Sequence, residues 1–241
     1  GRDSRKGWRT PFNAFASTHR ADDYCEGNAW QYTWLVPQDV DGLIGCFGSK
    51  EAFTTKLDSL FTVSSVIEGA DTSPDISGLI GQYAHGNEPS HHILYLYTMV
   101  GQPGKTADLV RRVLTTLYHD APDGLSGNED VGQMSAWYVL SSLGFYQVEP
   151  AGGRFWFGSP LFDRAEIAVR DGVMTVVAKN NSADNRYIQR VELDGQPYTK
   201  AYITYEDLAR GGVLEFEMGP EPKVWYCADE PGTYESQRPA E

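Results

Sequence analysis

Two hydrophobic periods divide the chain near residue 150. Before it, apolar side chains recur at three- and four-residue intervals, the spacing of one helix face. "SKEAFTTKLDSLF", residues 49–61, places Phe53, Leu57, Leu60 and Phe61 on one stripe behind Ser49, a good N-cap. "EPSHHILYLYTMVG", 88–101, has proline at its second position and glycine at its end, which predicts one helix. "GKTADLVRRVLTTLYH" carries Leu109, Val113 and Leu117 in line, with Val110 and Leu114 beside them. "GQMSAWYVLSSLGF" is apolar nearly all round and predicts a buried helix.

Beyond residue 150 the period is two. "RFWFG", "AEIAVR", "VMTVVAK", "YIQRVEL", "AYITYE" and "VLEFEMG" alternate or are rich in β-branched residues, and "RDG", "NNSADN", "LDGQP" and "RGG" separate them. This predicts an antiparallel β part. The expected class is α+β, with a helical region over 1–150 and a β-rich subdomain over 151–241. Loops 62–87 and 119–131 exceed ordinary connections and hold unusual polar residues.

Composition narrows the function. The chain has 241 residues, 41% of them hydrophobic, and a net charge of -13. That charge repels nucleic-acid phosphates and anionic membrane surfaces, and it suits a neutral substrate or a cation held by carboxylates. Cys25, Cys46 and Cys227 are too few and too scattered for a disulfide framework or a zinc site, although one disulfide fits the count. No apolar run reaches the roughly 18 residues of a membrane span. The chain opens on Gly1, shows no signal peptide, and brings in Trp8, Phe12 and Phe15 at once. It reads as entered midway, a fragment of a longer polypeptide.

Three polar stretches carry candidate chemistry. In "DDYCEGNAWQYTW", 22–34, Glu26 precedes Trp30, Tyr32 and Trp34. It is either a surface acid before a core segment, or an acid beside a wall of rings suited to sugar faces, where desolvation would keep its proton. In "YAHGNEPSHH", 83–92, Asn87 and Glu88 fit a helix start; as ligands, their oxygens and nearby carbonyls suit calcium better than zinc. In "PDGLSGNEDVGQMSAWY", 122–138, Asn128, Glu129 and Asp130 exceed what one helix cap needs, and Asp130 could activate water. "LVPQDVDG" is explained by a turn or helix start, and "NNS" at Asn180 matches a glycosylation sequon. A proton-giving carboxyl and a water-activating one suffice to hydrolyse a glycosidic bond.

"EGNAWQYTWLVPQDV", "GQYAHGNEPSHHILYLYTMVGQP" and "PDGLSGNEDVGQMSAWYVLSSLGFYQVEPAGG", in this order and followed by "FWFGSPLFDRAEI", resemble the signatures of glycoside hydrolase family 92 across nearly the whole chain. The resemblance implies a largely bacterial group of calcium-dependent, inverting exo-α-mannosidases, often α-1,2-specific, acting on mannose-rich glycans outside the cytoplasm: secreted, periplasmic or at the cell surface. It implies Glu26 as general acid and Asp130 as base, sugar contacts from Trp30, Asn87, Glu88, Asn128 and Glu129, and a calcium shell from Gln82, Asn87 and Glu88. Asn128 stands where some members carry a second aspartate. The implied fold is the later helices of an (α/α)6 toroid followed by the C-terminal β subdomain. The N-terminal β-sandwich and early toroid helices lie outside the match, as partners that would complete the site. A noncatalytic carbohydrate-binding module and a toroid sugar epimerase are the alternative readings.

Overall fold

The computed structural model describes residues 2–5, 7–8, 10–20 and 22–227. A short pair, β1 (Arg2–Asp3) with β2 (Gly7–Trp8), precedes the helical part. Helices α1 (Ala29–Tyr32), α2 (Val40–Phe47) and α3 (Lys50–Thr62) each begin at a side-chain cap. Asn28 accepts from the Trp30 amide, Asp39 from Gly42 and Ser49 from Ala52, which satisfies donors that a helix start leaves open. A second pair, β3 (Leu79–Ile80) with β4 (Tyr83–Ala84), lies inside the long loop that follows α3.

The stretch 88–101 is not one helix. It runs as two 3-10 turns, Glu88–Ser90 and Ile93–Tyr95, then α4 (Leu96–Met99). Two side chains pin it to separate segments. The ring N–H of His91 donates to the His85 carbonyl at 3.0 Å, and that of His92 to the Trp34 carbonyl at 2.7 Å. Nor does the Asn87 side chain cap the first turn. Helix α5 (Pro103–Thr116) follows. Helix α6 (Gln133–Leu143) buries Met134 and Trp137 but exposes Val139, so its all-round apolar pattern overstates its burial.

The β part begins earlier than its period suggests, at β5 (Phe145–Gln147). Strands β6 (Arg154–Phe157), β7 (Arg164–Val169), β8 (Gly172–Lys179), β9 (Tyr187–Leu193), β10 (Gln196–Pro197) and β11 (Tyr202–Thr204) lead to helix α7 (Tyr205–Arg210) and β12 (Gly212–Gly219). Tyr205 and Glu206, read as strand, start α7 because Thr204 accepts from the Asp207 amide. One sheet has the order β11-β6-β5 and the other β10-β9-β12-β8-β7. The layout is antiparallel except for one pair. Strand β12 enters between β9 and β8 after α7, and it lies parallel to β8.

Strand alternation lets the three-stranded sheet serve two cores. Tyr146, Trp156 and Tyr202 face the helices, where Trp34, Phe53, Leu57, Tyr95 and Val110 are buried. Phe145, Phe157 and Ile203 face the larger sheet, meeting Met174, Val191 and Phe216. Buried Arg111 bolts α5 to the β part: it donates to Ser159 Oγ at 2.9 Å and also to the Pro160 carbonyl and Asn181 Oδ1. Cys25, Cys46 and Cys227 are free thiols, and no helix of the described residues is long and apolar enough to cross a membrane.

Replacing Arg111 by leucine strands several buried acceptors and is expected to cost about 2–4 kcal/mol in urea unfolding. A second expectation concerns pH. Burial lowers His91 and His92 from 6.5 to about 4. The unfolded chain then takes up protons that the fold refuses. Stability should therefore hold above about pH 6.5 and fall as pH drops towards about 4. Unfolding midpoints that stay flat across that window would contradict the assignment.

Candidate active site

Three loops meet at one place because two glycines let backbone touch backbone. A Cβ on Gly127 would lie 2.2 Å from the Gly86 carbonyl oxygen, and one on Gly86 would lie 2.7 Å from the Ser126 carbonyl oxygen and 1.9 Å from Ser77 Oγ. The loop carrying Glu88 and the loop carrying Asp130 are thereby in direct contact. Asn128 Nδ2 donates to Asp75 Oδ1 at 3.2 Å, a further tie between the same loops. Asn87 brings in the third loop. Its Nδ2 donates to the Glu26 carbonyl at 3.0 Å and reaches the Glu26 carboxylate at 3.5 Å.

The carboxyls gather accordingly. Glu88 is hydrogen-bonded to Asp130 and feels the charge of Glu26. Burial raises the Glu88 pKa, the Asp130 hydrogen bond and charge and the Glu26 charge raise it further, and a backbone hydrogen bond opposes them. Two of the three acids sit on left-handed backbone, Glu26 at φ 54° and Asp130 at φ 47°. Val131 follows at φ 57°, a region β-branched residues avoid. Such strain persists only where surroundings enforce it, and it clusters at functional sites. Here the enforcement is visible. The Glu129 carboxylate accepts from the Ser135 amide at 3.0 Å and from Ser135 Oγ at 2.8 Å, which locks the start of α6 just past the strained run. Tyr32 locks the other loop: its hydroxyl donates to the Cys25 carbonyl at 2.7 Å and accepts from the Cys25 amide at 3.1 Å.

Several residues expected at the site are occupied elsewhere. The rings after Glu26 form no open wall. Trp34 is fully buried, stacked on Phe47 at 5.7 Å and meeting Phe53 edge-on. Trp30 is buried between Phe15 and Lys56, whose Nζ lies 3.5 Å from the ring centroid, so its face is not offered to a sugar. Gln82 is fully buried, with Oε1 accepting from Asn28 at 2.9 Å and Nε2 donating to the Ser64 carbonyl at 2.6 Å. Its one oxygen is buried and already engaged by Asn28. Asn128 and Glu129 spend their side chains on Asp75 and Ser135.

Sequence reading passed over the side chains behind the site. Tyr83 Oη lies 2.8 Å from His85 Nδ1, and His85 Nε2 lies 2.7 Å from Tyr118 Oη. The Tyr118 hydroxyl donates to the Met134 carbonyl. Gln133 Nε2 reaches both His91 Nδ1 at 3.1 Å and Tyr146 Oη at 3.0 Å. The available signal was Gln133 itself, an amide opening an otherwise apolar helix. For a metal, Glu88 and the Oδ1 of Asn87 are hard oxygen donors of the kind calcium takes. Among the described residues no three His, Cys, Asp or Glu side chains converge as a ligand set, so this is a partial shell. Two acids on strained backbone, a third beside them and an oxygen-rich rim can together deliver and accept protons across a bond between them.

The chain is similar to several known proteins. An "uncharacterized secreted glycosidase" of Arthroderma benhamiae is 27% identical over 217 residues, 88% of this chain and 26% of that protein. A family GH92 α-mannosidase of Bacteroides thetaiotaomicron, solved with mannoimidazole, superposes with a TM-score of 0.84 at 41% identity over 93% of this chain. An inverting family GH92 mannosidase of the same organism gives 0.78 at 36% identity over 95%. The chain spans 30% and 32% of the lengths of those two enzymes. The glycosyl hydrolase family 92 catalytic domain model matches residues 1–220, and by this match the chain belongs to that family.

Proposed function

We propose that the protein is part of a glycoside hydrolase that removes terminal α-linked mannose from glycans. The observation that carries this is the convergence of Glu26, Glu88 and Asp130, from loops far apart in sequence. The similar solved structures, one an α-mannosidase and the other an inverting mannosidase, support it. Glu26 gives a proton to the departing glycosidic oxygen. Asp130 takes one from a water on the opposite face of the sugar. This inverts the anomeric centre and needs roughly 6.5–9.5 Å between the two carboxyls for the water.

Asn87 and Glu88 would hold calcium on the rim of this pocket. When bound, the ion would engage mannose hydroxyls and favour a distorted ring. The helical part is read as the later helices of an (α/α)6 toroid, with an N-terminal sandwich and earlier helices supplied by further polypeptide. The linkage is read as α-1,2, and the location as outside the cytoplasm, supported by the fungal relative named a secreted glycosidase. The alternative reading is a module that binds mannosides without turnover.

With α-1,2-mannobiose as substrate and the full-length protein as enzyme, Glu26→Gln and Asp130→Asn should each lower kcat by about 100-fold or more. Near-normal turnover in both would refute the roles, while mannoside binding without any wild-type turnover would favour the binding module. A chelator should abolish turnover and calcium should restore it. Gly127→Ala adds only a methyl group against Gly86, yet it must part the two loops. Its kcat/KM should fall by about 100-fold with no change in the residues doing chemistry.

A further inference from the structure

Three consecutive residues, Asp130, Val131 and Gly132, stand on left-handed backbone, at φ 47°, 57° and 91°. Glycine is at ease there and aspartate nearly so, which leaves the strain on Val131, whose branched Cβ crowds the backbone. The Val131 side chain is fully exposed, so packing does not hold it. What enforces the run must come from its two ends. Upstream, Gly127 is pressed against Gly86. Downstream lies the first turn of α6, and each of its residues is tied down. Gln133 reaches His91 and Tyr146, the Met134 carbonyl accepts from Tyr118, and Ser135 is held by Glu129.

Glu129 joins the two sides of the strained run. It immediately precedes Asp130, and its carboxylate takes the Ser135 amide at 3.0 Å and the Ser135 hydroxyl at 2.8 Å. Its carbonyl accepts from the Met134 amide at 3.3 Å, and the Asp130 carbonyl from the Gln133 amide at 3.2 Å. Gly132, the N-cap of α6, has no side chain with which to take an open amide of the first turn. That task passes to Glu129, and the positive end of the helix favours a carboxylate there. The chain is thus closed into a ring at Glu129 and Ser135, with Asp130 inside it.

We propose that Glu129 is a positioning residue for Asp130: by closing this ring it keeps Val131 on left-handed backbone, and so keeps the Asp130 carboxyl turned towards Glu88, without itself touching the substrate. That Asp130 serves as the base rests on the mannosidase reading. That Glu129 holds it in place does not.

Two substitutions separate the clamp from the charge. Glu129→Gln can keep both bonds, because its amide oxygen accepts from the Ser135 amide and its NH2 group donates to Ser135 Oγ, whereas Glu129→Ala keeps neither. In the full-length protein acting on α-1,2-mannobiose, Glu129→Ala should lower kcat by about 30-fold to 100-fold with little change in KM, as displacement of a reacting group does. Glu129→Gln should lower it by only about threefold. Val131→Asn, added to Glu129→Ala, puts a residue that enters left-handed backbone readily at the strained position and should recover about tenfold. Four results each overturn the assignment. Equal losses in Glu129→Gln and Glu129→Ala would make the charge decisive. A rise in KM with kcat unchanged would make Glu129 a sugar contact. A lower unfolding midpoint with unchanged kcat would make it a helix cap alone. No recovery with Val131→Asn would mean that backbone strain is not what Glu129 opposes. Hydrogen exchange read by mass spectrometry requires no turnover. Residues 128–135 should exchange faster in Glu129→Ala than in wild type, and Glu129→Gln should exchange as wild type does. That pattern in a protein that cleaves no mannoside keeps the clamp and loses the hydrolase reading. Equal exchange in all three overturns the clamp.

Discussion

The site depends on one steric fact: two loops more than thirty residues apart approach so closely at Gly86 and Gly127 that neither position has room for a side chain. Backbone contact of this kind is short and stiff, and it cannot be replaced by a longer side chain reaching across. It places Glu88 and Asp130 within hydrogen-bond reach, and Asn87, one residue on from Gly86, draws in the Glu26 loop. Everything chemical in the site follows from these few backbone positions.

Holding three acids together is unfavourable by itself. Like charges repel, and Glu26 and Asp130 also occupy left-handed backbone that costs of order 1 kcal/mol or more each. The surrounding fold offsets this with rigid support. Glu129 caps α6 immediately after the strained run, Tyr32 clasps the Glu26 loop through both the amide and the carbonyl of Cys25, and buried His85 between Tyr83 and Tyr118, with buried His91 and His92, forms the layer beneath. The helical core and the β layers supply the base for that support. The three-stranded sheet sends Tyr146 towards the site and Phe145 into the opposite core, so one strand serves chemistry and packing at once.

What could be read from the sequence was what depends on near neighbours. Ser49 capping a helical stripe and the two-residue period of β7, β8, β9 and β12 are local properties, and the structure has them. The loop holding Asp130 stood out because Asn128, Glu129 and Asp130 exceed the needs of capping, whereas Glu88 also fitted a plain helix start and Glu26 a surface acid. What failed depended on distant partners. Rings beside an acid look alike whether they line a pocket or fill a core, and only Phe47, Phe53 and Lys56 decide that Trp34 and Trp30 are core. Gln82 resembled a ligand until Asn28 and Ser64 took its amide. The break in 88–101 follows from where two imidazoles find carbonyls, and the parallel β12–β8 pair follows from where α7 returns the chain.

The most direct test is a titration of the Glu88 carboxyl by carbon-13 NMR, in the wild type and in Asp130→Asn. If the loops share one pocket, the Glu88 pKa is raised and moves back down in Asp130→Asn, keeping the parts due to burial and to the Glu26 charge. A Glu88 titration that is ordinary from the start, or indifferent to the substitution, would mean that the two acids do not face each other.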